Sequence, residues 1–208
     1  MGWNFFEEGV KRYFYQVVSM HLKTTVIISL VILSSCAIRI GYTEVKQDII
    51  TTEKELGSTD ITPDYHISIG EGIYPNVNKY KLNTPLTYLR QSDSILEHRI
   101  EYFTQKHNDK LKVILEEWTT VRIEDTTTFV SFIPQYSTKE IESVYDSLVT
   151  NYNNLMGHPH IVEIDSVRSE DYRDSYTWKS NDGLTVYLFE LGNMSNGYRQ
   201  VRIASYYN

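Results

Sequence analysis

The residues best equipped for chemistry in this chain of 208 residues stand close together in one short stretch. His158 and His160 flank Pro159, and Glu163 and Asp165 follow. Imidazole nitrogens with carboxylate oxygens suit a divalent metal ion. The spacing works against it: an extended chain points 158 and 160 one way and 163 and 165 the other. The stretch therefore reads as a helix-to-strand loop, and these four residues remain only weak metal candidates.

Other pairs fare no better. His98 and Glu101 would converge on a helix but diverge on the strand that the pattern around them indicates. Glu116 and Glu117 are adjacent, so a strand sends them to opposite faces, which rules out a paired acid and base. Both pairs are expected to be solvated. Gly192-Asn193-Met194-Ser195-Asn196-Gly197 has one residue too many before its serine for a nucleophile elbow, and it lies between two strand patterns, so it reads as a hairpin loop. No phosphate loop, dinucleotide fingerprint or zinc-protease helix occurs. No catalytic residues and no cofactor are expected, and the reading leans away from an enzyme.

Aromatic side chains with a polar tip are abundant, with 17 tyrosines and three tryptophans. Tyr176 and Trp178 share one face of a strand pattern, with Tyr187 and Tyr198 on neighbouring ones. Such a set suits a sugar or peptide surface. Its commoner use is packing within a sheet.

Charge narrows the partners. Beyond Cys36 the chain carries 17 basic and 25 acidic groups, a net charge of -8. Binding to nucleic acid needs clustered Lys and Arg to neutralise phosphates, and no such cluster exists here. Cys36 is the single cysteine. This excludes an internal disulfide, a cysteine-based metal site and any other thiol nucleophile.

That cysteine closes the most informative segment. Met20-His21-Leu22-Lys23 leads into an apolar run from Thr24, which ends in Leu33-Ser34-Ser35-Cys36. Extended to Ile38, the run would span roughly 22 Å as a helix, short of the roughly 30 Å hydrocarbon core of a bilayer. It has the length of a signal-peptide core. Leu33 to Cys36 resembles the lipobox of bacterial lipoproteins: an aliphatic residue, two small residues, then cysteine. The resemblance covers about residues 20 to 36. It implies that residues 20-35 are a cleaved signal peptide, that the Cys36 thiol carries lipid, and that the protein is exported and held to the cell envelope. Ala37 stands where the family's inner-membrane retention signal has aspartate, which implies the outer membrane. Residues 1-19 then form an upstream extension, or translation begins at Met20.

The elements that must position any site follow. Residues 36-62 are polar beyond the cysteine and its neighbours and read as a flexible tether. Tyr65 to Pro85 suits an irregular lead-in with one short strand. Leu96 to Tyr102 and Leu111 to Val121 read as a hairpin about Asn108-Asp109, with a further strand at Thr128 to Ile133. Ile141, Val144, Tyr145, Leu148, Tyr152 and Leu155 mark one face of a helix over 137-156, with a capping box at Ser137 and Glu140 and a stop at Gly157. Strand patterns at 161-167, 175-180, 184-191 and 198-207, with Asp182-Gly183 as a turn, complete a meander.

The expected class is α+β: a twisted antiparallel sheet with one long amphipathic helix on one face, forming a single domain over 63-208. The expected role is a lipid-anchored, non-catalytic binding or assembly module. Its partners would be the membrane, through Cys36, and another envelope protein or a glycan. An envelope hydrolase and a structural component that oligomerises through a sheet edge are the alternatives.

Overall fold

Short alternating runs joined by tight turns form hairpins because each turn residue supplies the backbone its type requires. In the computed structural model Asp109 takes φ 52° between β3 (Leu96–Thr104) and β4 (Leu111–Thr120), and Gly183 takes φ 93° between β8 (Asp171–Lys179) and β9 (Leu184–Asn193). Both are left-handed values that Asp and Gly tolerate well. The structure describes residues 46-207 apart from 65-68, 71-72, 76, 78-80, 93-95, 126-129 and 166-169.

Two antiparallel meanders join in one eight-stranded sheet, in the order β1-β2-β3-β4-β10-β9-β8-β7. The first consists of β1 (Thr59–Asp60), β2 (Leu86–Ser92), β3 and β4; the second of β7 (Ile161–Glu163), β8, β9 and β10 (Arg199–Tyr207). They meet where β4 pairs with β10, from Val113↔Tyr206 to Thr119↔Gln200. Between them the chain makes a separate two-stranded ribbon, β5 (Ile123–Asp125) with β6 (Val130–Phe132), and then the long helix α2 (Gln135–Met156). The strand expected at 128-133 thus pairs locally rather than joining the main sheet.

The helix lies over β3, β4, β8 and β10. Ile141, Tyr145, Leu148 and Tyr152 are buried, as the 3.6-residue period requires. Gly157 closes it at φ 79°, donating its N–H to the Asn153 carbonyl. The start differs from the expected one. α2 begins at Gln135 with Pro134 at the N-cap and no side-chain cap, and Ser137 Oγ is buried without a hydrogen-bond partner among the described residues. Because the N-cap falls at Pro134, Ser137 is three residues further on and its hydroxyl is already inside the first turn of the helix.

Two further corrections concern the first third of the chain. The expected tether contains a second helix, α1 (Lys46–Glu55), with Ile49 and Glu53 buried. Ile49 packs with Tyr88, Ile100, Tyr102, Leu111 and Ile114. The described domain therefore starts upstream of residue 63 and includes α1 as well as α2. The lead-in also does more than connect. Ile69 and Tyr74 are buried against Phe103, Val113, Leu115, Ala204 and Tyr206, with the rings of Tyr74 and Tyr206 edge to face at 5.0 Å. Helices cover one face of the sheet and this segment covers part of the other. The class is α+β, with a mixed core on both faces of the sheet. Cys36 and the run from Thr24 to Ile38 lie outside the described residues, within which no helix is long and apolar enough to cross a membrane.

Candidate functional site

The four weak metal candidates do not converge. His158, His160, Glu163 and Asp165 are all exposed. Glu163 accepts a hydrogen bond from Ser175 Oγ at 3.0 Å, while Asp165 accepts one from the backbone N–H of Arg173 at 3.0 Å. Among the described residues no three His, Cys, Asp or Glu side chains form a group fit to hold a metal ion.

The aromatic set divides between faces and depths. Tyr176 and Trp178 do share a face and stack at 5.6 Å. That face is the one α2 covers: Trp178 is fully buried, 5.5 Å from the Tyr152 ring, and its indole N–H donates to Asn153 Oδ1 at 3.1 Å. Tyr187 pairs across strands with Thr177 and Ala204, which puts it on the opposite face. Tyr198 precedes β10 at the end of the Asn193 turn. The four residues therefore do not make one surface, because period-two alternation separates 176 and 178 from 187.

The pairs expected to be solvated are buried. His98, Glu101, Glu116 and Glu117 are each less than 5% exposed. Their alternation is as expected, with His98 and Glu116 on the helix-covered face and Glu101 and Glu117 on the other. What differs is that neither face is open at these positions. A buried carboxylate persists only with partners, and arginines missed in the sequence supply them. On the helix side Glu53 is matched by Arg90 at 2.6 Å, by Ser58 Oγ at 2.6 Å and by the Tyr102 hydroxyl. Burial pushes the Glu53 carboxyl up, but the Arg90 ion pair and these donors outweigh it and hold it below the usual range. Glu116 Oε2 faces His98 Nε2 at 3.2 Å, and the imidazole stacks on Trp118 at 4.4 Å.

Further along the same face, Arg199 links Glu190 on β9 at 3.1 Å to Glu142 on α2 at 2.8 Å. On the second face Arg99, Glu117 and Arg202 form a cross-strand row in which both guanidiniums donate to the one carboxylate. Glu101, one row away, is the exception. Its Oε2 is buried without a hydrogen-bond partner among the described residues. Burial first, and the Glu117 charge second, push its carboxyl up to about 7 against the pull of Arg99 and Arg202. Such a group is poised to hold a proton near neutrality.

Exposed apolar side chains gather elsewhere. Ile161, Val162 and Ile164 are 48, 50 and 53% exposed, and Leu155, at the end of α2, is 60% exposed. Ile161, Val162 and Ile164 lie on or just past β7, which is the last strand of the sheet among the described residues. The edge extends beyond the three residues of β7: His160 donates its backbone N–H to the Thr177 carbonyl, and Asp165 donates its own to Asp174 Oδ1, so residues 160-165 all run beside β8. The other edge, β1, is two exposed polar residues, Thr59 and Asp60. Short polar edges resist pairing, whereas an apolar edge offers unpaired backbone groups together with side chains that gain from burial.

Compared with known proteins, the chain matches no family model, no curated protein and no solved structure. The residues themselves must carry the reading. The buried ion pairs connect elements to one another across the sheet and to both helices, which suits a structural role. Among the described residues the β7 edge combines outward backbone groups with three aliphatic side chains and two carboxylates over residues 161-165.

Proposed function

We propose that this protein is a lipid-anchored envelope protein whose domain works as a non-catalytic binding or assembly module, engaging a partner polypeptide at the β7 edge. The anchor rests on the lipobox-like Leu33-Ser34-Ser35-Cys36 after an apolar run of signal-peptide length. Two or more acyl chains at Cys36 would hold the protein firmly, since each buried methylene contributes about 0.8 kcal/mol. Export, and the outer membrane as destination, follow from the same resemblance and from Ala37.

The observation that carries the binding role is the asymmetry of the sheet edges. One is blunted by Thr59 and Asp60, while the other leaves Ile161, Val162 and Ile164 about half exposed. Edge pairing supplies affinity through main-chain hydrogen bonds and specificity through alternate side chains. A photo-cross-linking residue placed at Val162 in the full-length chain, in cells, is expected to give a discrete heavier adduct. The same residue at Thr59 is expected to give none. Equal labelling at both positions, or no adduct at Val162, would contradict the reading.

A further inference from the structure

We infer that the β7 edge is built for an extended segment that alternates apolar with basic residues, contributed by a polypeptide other than a second copy of this chain. This inference rests on the edge being a docking site and adds the chemistry of its occupant.

The alternation comes from the register. Val162 pairs with Tyr176, which places it on the helix-covered face, and Ile164 follows on the same side. Ile161 and Glu163 pair with Thr177 and Ser175 and belong to the other face, with Asp165 next in phase. An antiparallel strand laid along residues 161-165 therefore meets Val162 and Ile164 on one face, and Ile161 followed by the two carboxylates on the other. Its own residues must alternate in the same way, because directly opposed side chains share a face.

The sign of the charge follows from the described residues around the edge; Arg168, three positions past Asp165, lies outside them. Glu163 is engaged by one hydroxyl and Asp165 by one backbone N–H, and neither is in an ion pair among the described residues. The guanidinium of Arg173, next to Asp165, is turned onto β9, 5.0 Å from the Phe189 ring and bonded to the Tyr187 hydroxyl. Lys179 stands at the far end of β8 from Arg173. The chain entering the edge leaves a helix whose last turn holds no basic residue, so the negative end of its dipole is unneutralised. A lysine or arginine facing Glu163 and Asp165 completes these groups, whereas a like charge directly opposite is repelled.

The same electrostatics disfavour a second copy. Each chain beyond Cys36 carries a net charge of -8, so two copies edge to edge would bring like-charged surfaces together. Antiparallel pairing of one edge with its own copy would supply no basic side chain within residues 161-165.

The test uses the full-length protein in a non-ionic detergent with three labelled hexapeptides: alternating Lys-Val, alternating Glu-Val, and a block of three Lys followed by three Val. Fluorescence anisotropy is expected to show the alternating Lys-Val peptide binding at least tenfold more tightly than either control. That preference is expected to weaken with added salt and to be lost in Ile164→Lys and in Glu163→Lys. Unchanged thermal unfolding of Ile164→Lys shows that the loss comes from the edge rather than from the fold. Equal binding of the Glu-Val or block peptide would overturn the inference while leaving the docking edge intact. No binding by any peptide, together with no adduct at Val162, would remove both. Light scattering that shows a dimer abolished by Ile164→Lys would overturn the inference in favour of a second copy.

Discussion

Glu53 on α1 and Arg90 on β2 meet at 2.6 Å, 37 residues apart in sequence, and both are withdrawn from water. The carboxylate is closed on its other sides by Ser58 and Tyr102, so a largely polar helix is fixed to the sheet by its two buried residues, Glu53 and Ile49. Removing one partner leaves the other charge buried and uncompensated. Arg90→Met is therefore expected to lower the unfolding free energy by about 3 to 5 kcal/mol, read by urea denaturation. The lowered Glu53 pKa makes this contribution present above the ordinary carboxylate value of 4.5 and lost as pH falls below it. Arg90→Met should accordingly flatten the acid limb of the stability curve.

Glu101 carries the opposite sign. Its carboxyl is raised from 4.5 to about 7, so the folded state binds the extra proton between those values and stability falls as pH rises through that window. The full deficit above the window is on the order of 3 kcal/mol. Glu101→Gln is expected to be more stable than the wild type at pH 8 by a measurable part of that amount, and to lose the slope between pH 4.5 and 7. A variant with the wild-type slope would show that the group titrates normally.

Gly192 lies directly across from Tyr172, and a Cβ there would stand 2.6 Å from the Tyr172 hydroxyl oxygen and under 3 Å from its ring. The ring cannot easily move aside, because its hydroxyl donates to Glu190 at 3.2 Å and Arg199 lies over its face at 5.7 Å. Gly192→Ala should cost about 1 to 3 kcal/mol. Adding Tyr172→Ala should cost less in that background than in the wild type, a coupling that a double-mutant cycle measures.

Trp178 separates a core role from a ligand role. Trp178→Ala is expected to cost about 3 to 5 kcal/mol of stability. The more exposed Tyr187, changed to Phe, should shift stability by less than about 1 kcal/mol, since it loses only its hydrogen bond to Arg173. Thermal unfolding compares them.

The metal reading gives its own outcome. Zinc, calcium or manganese is expected to leave the unfolding temperature unchanged, and His158→Ala with His160→Ala to leave it unchanged as well. A metal-dependent rise lost in the double variant would place a site there after all.

The sequence showed most where a single period decides the structure. The stripe Ile141, Tyr145, Leu148 and Tyr152 faces the sheet, and the turns at Asn108-Asp109 and Asp182-Gly183 sit where their backbone chemistry places them. Leu155 lies on the same stripe but is 60% exposed, because α2 has already reached β8, near the sheet edge, at Asn153. The charged strand residues were misjudged for a different reason. Alternation separates core from solvent only when one face of a sheet is open. Here both faces are covered around Glu101, Glu116 and Glu117, and parity reveals the face without the burial. The compensating arginines at 90, 99, 199 and 202 are scattered along the chain and carry no spacing signal. The helix at Lys46–Glu55 was hidden because only Ile49 and Glu53 are buried in it, and one of those is charged. For the β7 edge the apolar letters were visible, but only the strand order shows that nothing among the described residues pairs with their outer side.

The proposed lipid on Cys36 would tie this domain to the envelope, and the intact mass of the detergent-extracted protein tests that anchor most directly. The full-length chain and Cys36→Ala are produced in a Gram-negative host and measured side by side. The account predicts a mature protein that starts at Cys36 and carries added acyl mass, with both features lost in the variant. An unprocessed, unlipidated and freely soluble wild-type chain would contradict it.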